Sequence, residues 1–416
     1  TLIVFLTPPG ANKGLVFAVS KAGAAWAQLG FTGDELKARV IRLRAQIDPL
    51  GYGVQAAAPG VGLTPGLKHG VFDRQASYEL YKALLGDPAI QAVIKDRGVL
   101  LFVPTGPLTS LPPGLLVTSP PVGGAAGDSD QAILRATPWL LRSKAVALLP
   151  SVATLRTLRQ LMPSEHASTP DPLLAFADPD FRGQAASAPK PVAVTAVPRG
   201  VGAYFRDGRA LASALSTLPR LPGTRVEGQA LEQALGAPPA SLLTGADASK
   251  AELMARNADG RLAKVRVLEF ATHGLVTGDA GIAEPALALA AGARPEDELL
   301  LASEASTLTL NADWVLLSAC NTASPDAPEA QGLSGLARAF FFAGARSLLV
   351  SHWRVRDDVA GRLIPGVVLA QRNTPGLSHA QALRQASLAI LDDPTIRGGA
   401  NPSAWAPFTV IGEAGP

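Results

Sequence analysis

Two short apolar runs end in residues that could do nucleophilic chemistry. Residues 265–272 are followed by His273 and Gly274, and residues 314–319 are followed by Cys320, the only cysteine of the chain. Both runs are aliphatic and bounded by turn-forming residues, which is typical of buried parallel strands. The carboxyl ends of parallel strands lie on one edge of a sheet, where α/β proteins place ligands and catalytic groups. We therefore expect the thiol and the imidazole to meet on that edge.

A cysteine and a histidine at such an edge can form the catalytic pair of a peptidase. The thiolate is the nucleophile, and an unperturbed cysteine has a pKa near ~8.5, so a neighbouring imidazole takes its proton and later protonates the leaving amine. His273 would be the base and Cys320 the nucleophile. The backbone N–H groups of Gly274 and Cys320 can form an oxyanion hole, and the small Ala271 and Ala319 keep the site open. The order of the two residues matches that of caspases, in which about 50 residues separate histidine from cysteine.

Less chemical explanations of the same residues stay open. A lone cysteine at a strand end is usually a small buried hydrophobe, and a lone histidine is often a polar residue with satisfied hydrogen bonds. A zinc site is less favoured, since one cysteine and five scattered histidines give no cluster with ligand spacing. The glycines in residues 60–66 do not indicate a phosphate loop, because no helix is predicted after them and a proline stands in the turn.

A second polar segment, residues 351–358, follows an apolar run at 347–350 and is expected on the same edge of the sheet. Trp353 lies between polar neighbours, which suits a pocket wall, although a tryptophan that caps the core explains it equally well. Asp357 and Asp358 can attract a basic substrate side chain, but adjacent acids are also common at the start of a helix.

Composition limits the classes of protein to which the chain can belong. Its 416 residues, 47% of them hydrophobic, suffice for two or three domains with cores. No apolar stretch reaches the ~18 residues that cross a bilayer, and the net charge of +3 comes from scattered arginines. A single cysteine excludes an internal disulfide framework. We expect a soluble, cytoplasmic protein that binds neither nucleic acid nor membrane.

Sequence periodicity predicts an α/β unit followed by regularly alternating strands and helices, which is typical of a parallel sheet with crossovers. Three helix starts have capping-box spacing, with Ser or Thr three residues before Glu or Gln. Besides the two runs that end at His273 and Cys320, the predicted strands are 2–6, 15–19, 98–103, 173–177, 240–243 and 347–350. The predicted helices are 33–47 after Thr32, 73–85, 151–161, 226–235, one after Ser249, 333–343 and one from about Ser378 to 391.

Stretches rich in Pro, Ala and Ser at residues 162–172 and 184–202 predict a boundary and a long mobile loop. We therefore predict two parts, an N-terminal α/β unit over 1–165 and a unit over 166–416 that carries the candidate catalytic residues. The chain begins with Thr1 and lacks the features of a signal peptide, so we expect it to be a piece of a longer polypeptide.

A set of motifs resembles the CHAT family of caspase-like cysteine peptidases, relatives of caspases, separases and gingipains. Two of them are Phe-Ala-Thr-His-Gly at 270–274 and Leu-Leu-Ser-Ala-Cys-Asn-Thr at 316–322. The set follows the family's order and extends over nearly the whole chain, so it is far more specific than any single motif. The other motifs occupy residues 101–108, 111–113, 149–155, 221–227, 332–340, 343–347, 351–353 and 405–408.

The resemblance implies a caspase-like three-layer α/β sandwich with a mostly parallel sheet, preceded by a smaller α/β pseudo-protease unit. It implies His273 as base and Cys320 as nucleophile, with no metal and no organic cofactor. It also implies a substrate that lies extended beside the sheet, with Ser351, Trp353 and Asp357 as candidate substrate-binding residues.

Two positions depart from the family pattern. His352 stands where a leucine is common, and Gln331 interrupts the usual Gly-Glu-Gly, so either could alter specificity or activation. Many relatives carry helical tetratricopeptide repeats upstream that hold the peptidase inactive until a partner binds. The resemblance therefore implies regulation by a repeat domain or activator protein outside this chain.

We thus expect a bacterial cysteine endopeptidase that acts on a protein or peptide substrate. The main alternative is a catalytically silent interaction or scaffold module with the same caspase-like fold. A nucleotide-binding α/β enzyme is a more remote alternative, because no glycine-rich loop is placed to hold a phosphate.

Overall fold

A computed structural model describes residues 1–48, 71–122, 130–161, 171–182, 215–275, 282, 284–292, 295–319, 335–353 and 355–413. Contacts group the chain into two units, one formed mainly by Thr1–Pro163 and Ser347–Pro416 and the other by Ser164–Thr322 and Ser334–Arg346. The predicted loop at 184–202 lies outside the described residues. The predicted division at residue 165 stays a prediction, and this grouping differs from it by joining the C-terminal segment to the N-terminal unit.

Strands and helices alternate through much of the described chain. The strands are β1 (Leu2–Leu6), β2 (Lys13–Ser20), β3 (Gly23–Thr32), β4 (Val99–Val103), β5 (Ala145–Leu148), β6 (Asp171–Pro179), β7 (Leu242–Gly245), β8 (Val265–Ala271), β9 (Gly274–Leu275), β10 (Ala286–Ala288), β11 (Leu299–Leu301), β12 (Trp314–Leu317), β13 (Ser347–Ser351) and β14 (Phe408–Gly412). The helices are α1 (Gly33–Ile47), α2 (Arg74–Leu85), α3 (Pro88–Ile94), α4 (Gln131–Ala136), α5 (Leu140–Ser143), α6 (Val152–Leu161), α7 (Pro222–Leu235), α8 (Lys250–Ala258), α9 (Ala302–Ala305), α10 (Gly335–Ala343), α11 (Asp357–Asn373), α12 (His379–Asp392) and α13 (Pro402–Trp405).

In the first unit the described strands form a mixed sheet in the order β3-β2-β1-β4-β5-β14-β13. Strand β1 pairs antiparallel with β2 and β2 with β3, whereas β1–β4, β4–β5 and β5–β14 are parallel. Strand β14 pairs antiparallel with β13. All five residues of β14 are buried, as expected for a strand with neighbours on both sides and packing on both faces.

Helix α1 of the first unit shows how local sequence fixes an element. The Thr32 hydroxyl accepts the backbone N–H of Glu35 at 3.3 Å, and the Glu35 carboxylate accepts the backbone N–H of Thr32 at 2.9 Å. This reciprocal pair is the capping box predicted from the sequence. Leu36, Val40 and Leu43, at i, i+4 and i+7, form the buried face of the helix.

In the second unit the described strands of the main sheet are all parallel, in the order β12-β8-β6-β7. Helices pack on both of its faces. Two consecutive residues of β8 show this, since their side chains point to opposite sides of the sheet. Phe270 on β8 packs against Phe340 of α10, with ring centroids 5.6 Å apart. Its neighbour Glu269 lies beside Glu227 of α7. The second unit therefore has the helix–sheet–helix layering predicted from the sequence.

The fold confirms most of the predicted elements and the predicted α/β class with mostly parallel strand pairs flanked by helices. Strand β7 begins two residues later than predicted. The sequence analysis missed β3 and the long helix α11. It also missed several short elements, namely strands β5, β9, β10, β11 and β14 and helices α3, α4, α5, α9 and α13. None of the described helices combines the length and the apolar character that a membrane crossing requires.

Candidate active site

The candidate base, His273, follows the central strand of the second unit's parallel sheet. Strand β8 ends at Ala271, between β6 on one side and β12 on the other. His273 therefore lies at the carboxyl edge of the sheet, as predicted. In the β8–β12 pair, Trp314 aligns with Val267 and Leu317 with Phe270, so aligned residues differ by 47 positions (314 − 267). The same difference separates position 320 from position 273 in the sequence.

A small antiparallel sheet, β11-β10-β9, fixes the backbone on both sides of His273. The His273 carbonyl accepts the N–H of Ala288 at 2.9 Å, and the Thr272 hydroxyl donates to the Ala288 carbonyl at 2.6 Å. Gly274 stands opposite Leu287. In an antiparallel ladder, hydrogen-bonded and non-hydrogen-bonded residue pairs alternate. Because Ala288 and His273 form a hydrogen-bonded pair, the next pair, Leu287 and Gly274, is a non-hydrogen-bonded one. The N–H of Gly274 therefore points away from β10. The ladder thus leaves this N–H to face another group.

The His273 ring is held by a backbone carbonyl distant in sequence. Its Nε2 lies 2.9 Å from the carbonyl oxygen of Pro219. A carbonyl oxygen can only accept, so Nε2 carries the proton and Nδ1 is the nitrogen that can take one up. The Phe181 ring packs against the imidazole with centroids 5.5 Å apart, and the histidine is only 7% exposed.

An ion pair next in the chain to Pro219 anchors the segment that supplies this carbonyl. Asp178, a buried residue near the end of β6, accepts from Arg220 Nε at 2.9 Å and Nη2 at 2.7 Å. The same carboxylate accepts the backbone N–H of Leu221 at 3.0 Å. Asp178 also donates its own N–H to the hydroxyl of Thr224 on α7, at 2.8 Å. These bonds tie the end of β6 to the start of α7.

A pair of buried acids lies between β8 and α7. Glu269 of β8 and Glu227 of α7 are 0% and 1% exposed. Burial raises the pKa of Glu269 well above its ordinary value, and the nearby Glu227 carboxyl raises it further. Glu269 is therefore neutral at pH values at which an exposed glutamate is ionised.

The predicted site residues fall into three groups. His273 and Gly274 occupy the second unit with the geometry given above. Cys320 lies outside the described residues, as does Gln331. The remaining candidates, Ser351, Trp353 and Asp357, belong to the first unit.

The side chains of the first-unit candidates differ in their exposure. Ser351 and Trp353 are each 2% exposed, and the Trp353 indole donates to the Ser403 carbonyl at 3.0 Å. Trp353 thus occupies the core position that was the alternative explanation of its sequence context. Asp357 is exposed at the first position of α11, where an acid favours the helix N-terminus. Substrate contact by these three residues stays a prediction.

Three residues near the imidazole were not singled out from the sequence: Pro219, Arg220 and Asp178. The signal for Asp178 was available, because it follows a predicted parallel strand and so had to lie on the edge that carries His273. Pro219 gives no comparable signal, since it acts through a backbone carbonyl that any residue type could supply. Among the described residues, no group of three or more His, Cys, Asp or Glu side chains is arranged to hold a metal ion.

Comparison with protein families identifies the class. The sequence model of the CHAT domain matches residues 74–413, most of the chain. The protein therefore belongs to the CHAT domain family, as its motifs indicated. No curated protein sequence matches the chain.

Several solved structures resemble the fold at low sequence identity. The Arg-specific cysteine proteinase gingipain R is 12% identical with a TM-score of 0.39, and the alignment covers 92% of this chain and 74% of that one. The complex of the pro- and mature domains of RgpB from Porphyromonas gingivalis is 10% identical with a TM-score of 0.37, covering 92% and 76%. The separase–securin complex of Saccharomyces cerevisiae is 12% identical with a TM-score of 0.41, covering 91% of this chain and 22% of that one.

Proposed function

We propose that the protein is a cysteine endopeptidase in which Cys320 is the nucleophile and His273 the general base. The observation that carries this proposal is the hydrogen bond from His273 Nε2 to the Pro219 carbonyl. It fixes the ring at the carboxyl edge of the parallel sheet and assigns proton uptake to Nδ1. Membership of the CHAT family and the shared 47-position offset of the β8–β12 pair support the assignment.

The proposed reaction has two stages, each with a defined proton path. In the first, Nδ1 takes the thiol proton, the sulfur attacks the peptide carbonyl carbon, and the imidazolium returns the proton to the leaving amine. In the second, water loses a proton to the imidazole, attacks the thioester, and releases the acid and the thiol. The N–H of Gly274, which points away from β10, is a suitable donor to the oxyanion of both tetrahedral intermediates.

The small exposed fraction of His273 bears on regulation. A base that is 7% exposed, with Phe181 against its ring, has little free surface for a polypeptide to approach. This supports an enzyme whose site opens when a repeat domain or activator protein outside this chain binds. The same observation favours the second candidate function, a catalytically silent scaffold module with the caspase-like fold.

Peptide cleavage and thiol reactivity together separate the two functions. We expect the wild-type protein to cleave members of a peptide library and the C320A and H273A variants to cleave none, whereas H379A, which alters a histidine of the first unit, retains cleavage. Alkylation by iodoacetamide, followed as whole-protein mass, reports on Cys320 alone because the chain has one cysteine. Its pH midpoint should lie below ~8.5 in the wild type and move toward ~8.5 in H273A.

The outcomes of these measurements are distinct. A low alkylation midpoint without cleavage supports a competent but closed peptidase. A wild-type midpoint near ~8.5 that H273A leaves in place, together with no cleavage, contradicts the catalytic pair and supports the scaffold function.

A further inference from the structure

The segment that supplies the Pro219 carbonyl is fixed by side-chain and backbone contacts on both sides of the proline. Arg220 makes a two-pronged contact with the Asp178 carboxylate through Nε and Nη2, and Nη2 also donates to the Asp178 backbone carbonyl at 3.1 Å. Leu221 donates its backbone N–H to the same carboxylate. Leu218, on the other side of Pro219, is buried in a hydrophobic cluster that includes Phe181. Pro219 is thus held from both directions along the chain.

Asp178 has an uncommon backbone conformation where it makes these contacts. Its φ is +45°, and it is the one non-glycine residue with positive φ among the described residues. Residues other than glycine adopt such conformations sparsely, and these are concentrated at functional sites. The side chain is also only 5% exposed, so its carboxyl group has been withdrawn from water.

The charged residues around the Asp178–Arg220 ion pair help to hold the Arg220 side chain in place. Arg225 Nη2 lies 3.7 Å from the Asp178 carboxylate, and Asp180 lies 4.0 Å from Arg220 Nη1. Asp178 accepts from Arg220 through both oxygens, which fixes the plane of the guanidinium as well as its position. The backbone between Arg220 and Leu218 has little freedom to turn the Pro219 carbonyl away from the imidazole.

We propose that Asp178 and Arg220 are positioning residues for His273, and that they act by fixing the Pro219 carbonyl 2.9 Å from Nε2. The fixed carbonyl keeps the proton on Nε2 and holds Nδ1 in one direction, and its dipole stabilises the imidazolium when Nδ1 takes up a proton. This inference rests on the proposed function for its catalytic consequence, but the hydrogen bond it concerns can be observed without catalysis.

The direct test is nuclear magnetic resonance of the full chain labelled with 15N-histidine. The signal of His273 is assigned by its loss in H273A, among five histidines. We expect the wild type to show an Nε2–H proton protected from exchange with water. The D178N variant, which keeps the side-chain shape but weakens the fork, should lose this protection, and R220K, which keeps the charge without the fork, should lose part of it.

A matched control separates positioning from stability. Asp313 bridges Arg266 at 2.7 Å and Arg346 at 2.7 Å just before β12, at the opposite end of the same parallel sheet. We expect D313N to lower the unfolding temperature while leaving the His273 Nε2–H signal unchanged. In a cleaving preparation, D178N should reduce kcat by about 10- to 100-fold, the range known for partners that orient metal-binding histidines, and D313N should not.

The result that overturns the proposal is a protected Nε2–H signal that persists in both D178N and R220K, or its absence from the wild type. If D178N does not fold, R220K alone decides between these outcomes. Loss of the signal in D178N, together with no cleavage by the wild type and an alkylation midpoint near ~8.5 that H273A leaves in place, would contradict the proposed peptidase while leaving the positioning role supported.

Discussion

At the scale of single residues, His273 and His352, which both belong to motifs identified in the sequence, have different environments. His273 bonds a backbone carbonyl at an edge of the sheet, whereas His352 is 1% exposed in the first unit. The Nε2 of His352 lies 3.1 Å from the Thr409 hydroxyl, and its carbonyl accepts from the buried Arg44 at 2.9 Å. Burial, and then the Arg44 charge, lower the pKa of His352 well below its ordinary value.

Replacing His352 by leucine should remove a source of acid sensitivity. The unfolded state takes up a proton below a pKa of ~6.5, which the folded state resists, so stability is present above that pH and is lost as pH falls toward the lowered folded pKa. The wild type should lose about 1.4 kcal/mol per pH unit in this window from His352, and H352L should not. Urea unfolding of both proteins at pH 5 and pH 8 measures the difference.

The pH 8 measurement serves as the internal control for H352L. There both states of the wild type carry a neutral imidazole, so the two proteins should differ only through packing and the lost Thr409 contact. An equal gap at the two pH values would show that His352 protonation does not contribute.

At the scale of elements, the helices and strands with clear local sequence signals were the ones predicted correctly. Helix α1 has its capping box and apolar stripe, and β8 has its aliphatic run, so both were predicted close to their observed bounds. Strand β3 has an Ala- and Gly-rich sequence of low strand propensity. Helix α11 contains Pro365 in its interior, which normally ends a helix. Both elements were missed because their local sequence disfavours the structure that tertiary packing stabilises.

The same limit applies to the candidate site. The strand ends predicted that His273 would lie at the sheet edge, since that placement follows from topology. The contact with Pro219 joins residues 54 positions apart through a main-chain atom. No residue type announces such a contact, so it could be found only from the fold.

The packing of α7 on β8 gives a second pH prediction, of opposite sign. The pKa of Glu269 is raised in the folded state, so its contribution to stability is full below the unfolded pKa of ~4.3 and is lost as pH rises toward the folded pKa. E269Q keeps the shape and removes the ionisation. We expect the contribution of Glu269, which is the wild-type free energy of unfolding minus that of E269Q, to fall with rising pH by up to about 1.4 kcal/mol per unit.

Unfolding by urea between pH 5 and pH 8 checks this expectation, and the D313N variant provides a comparison at an acid that is ion-paired with Arg266 and Arg346. Parallel pH curves for the wild type and E269Q would contradict a raised Glu269 pKa.

At the scale of the whole molecule, the first unit is assembled from distant parts of the chain. Strand β14 lies between β5 and β13, with Val410 aligned to Ala147 on one side and to Leu349 on the other. The second unit is formed entirely by residues between these segments and has its own parallel sheet and hydrophobic cluster. Stability of the first unit should therefore depend on its last strand far more than its length suggests.

Ending the chain after Pro407 tests this dependence. Removing β14 takes away its hydrogen bonds to β5 and β13 and leaves a gap where a fully buried strand lay between them. We expect hydrogen exchange, followed by mass spectrometry, to show loss of protection in β5 and β13, with β6, β8 and β12 of the second unit as the internal reference. Full protection of β5 in the truncated chain would mean that the sheet closes without β14.

The late position of β14 also bears on synthesis. A ribosome delivers β5 early and β14 only after every strand with which it pairs, so β5 waits with one side open while the second unit emerges complete. Such an open strand edge can pair with a wrong chain. The nascent polypeptide therefore has a long interval in which a chaperone that covers this edge would raise the yield of correctly assembled protein.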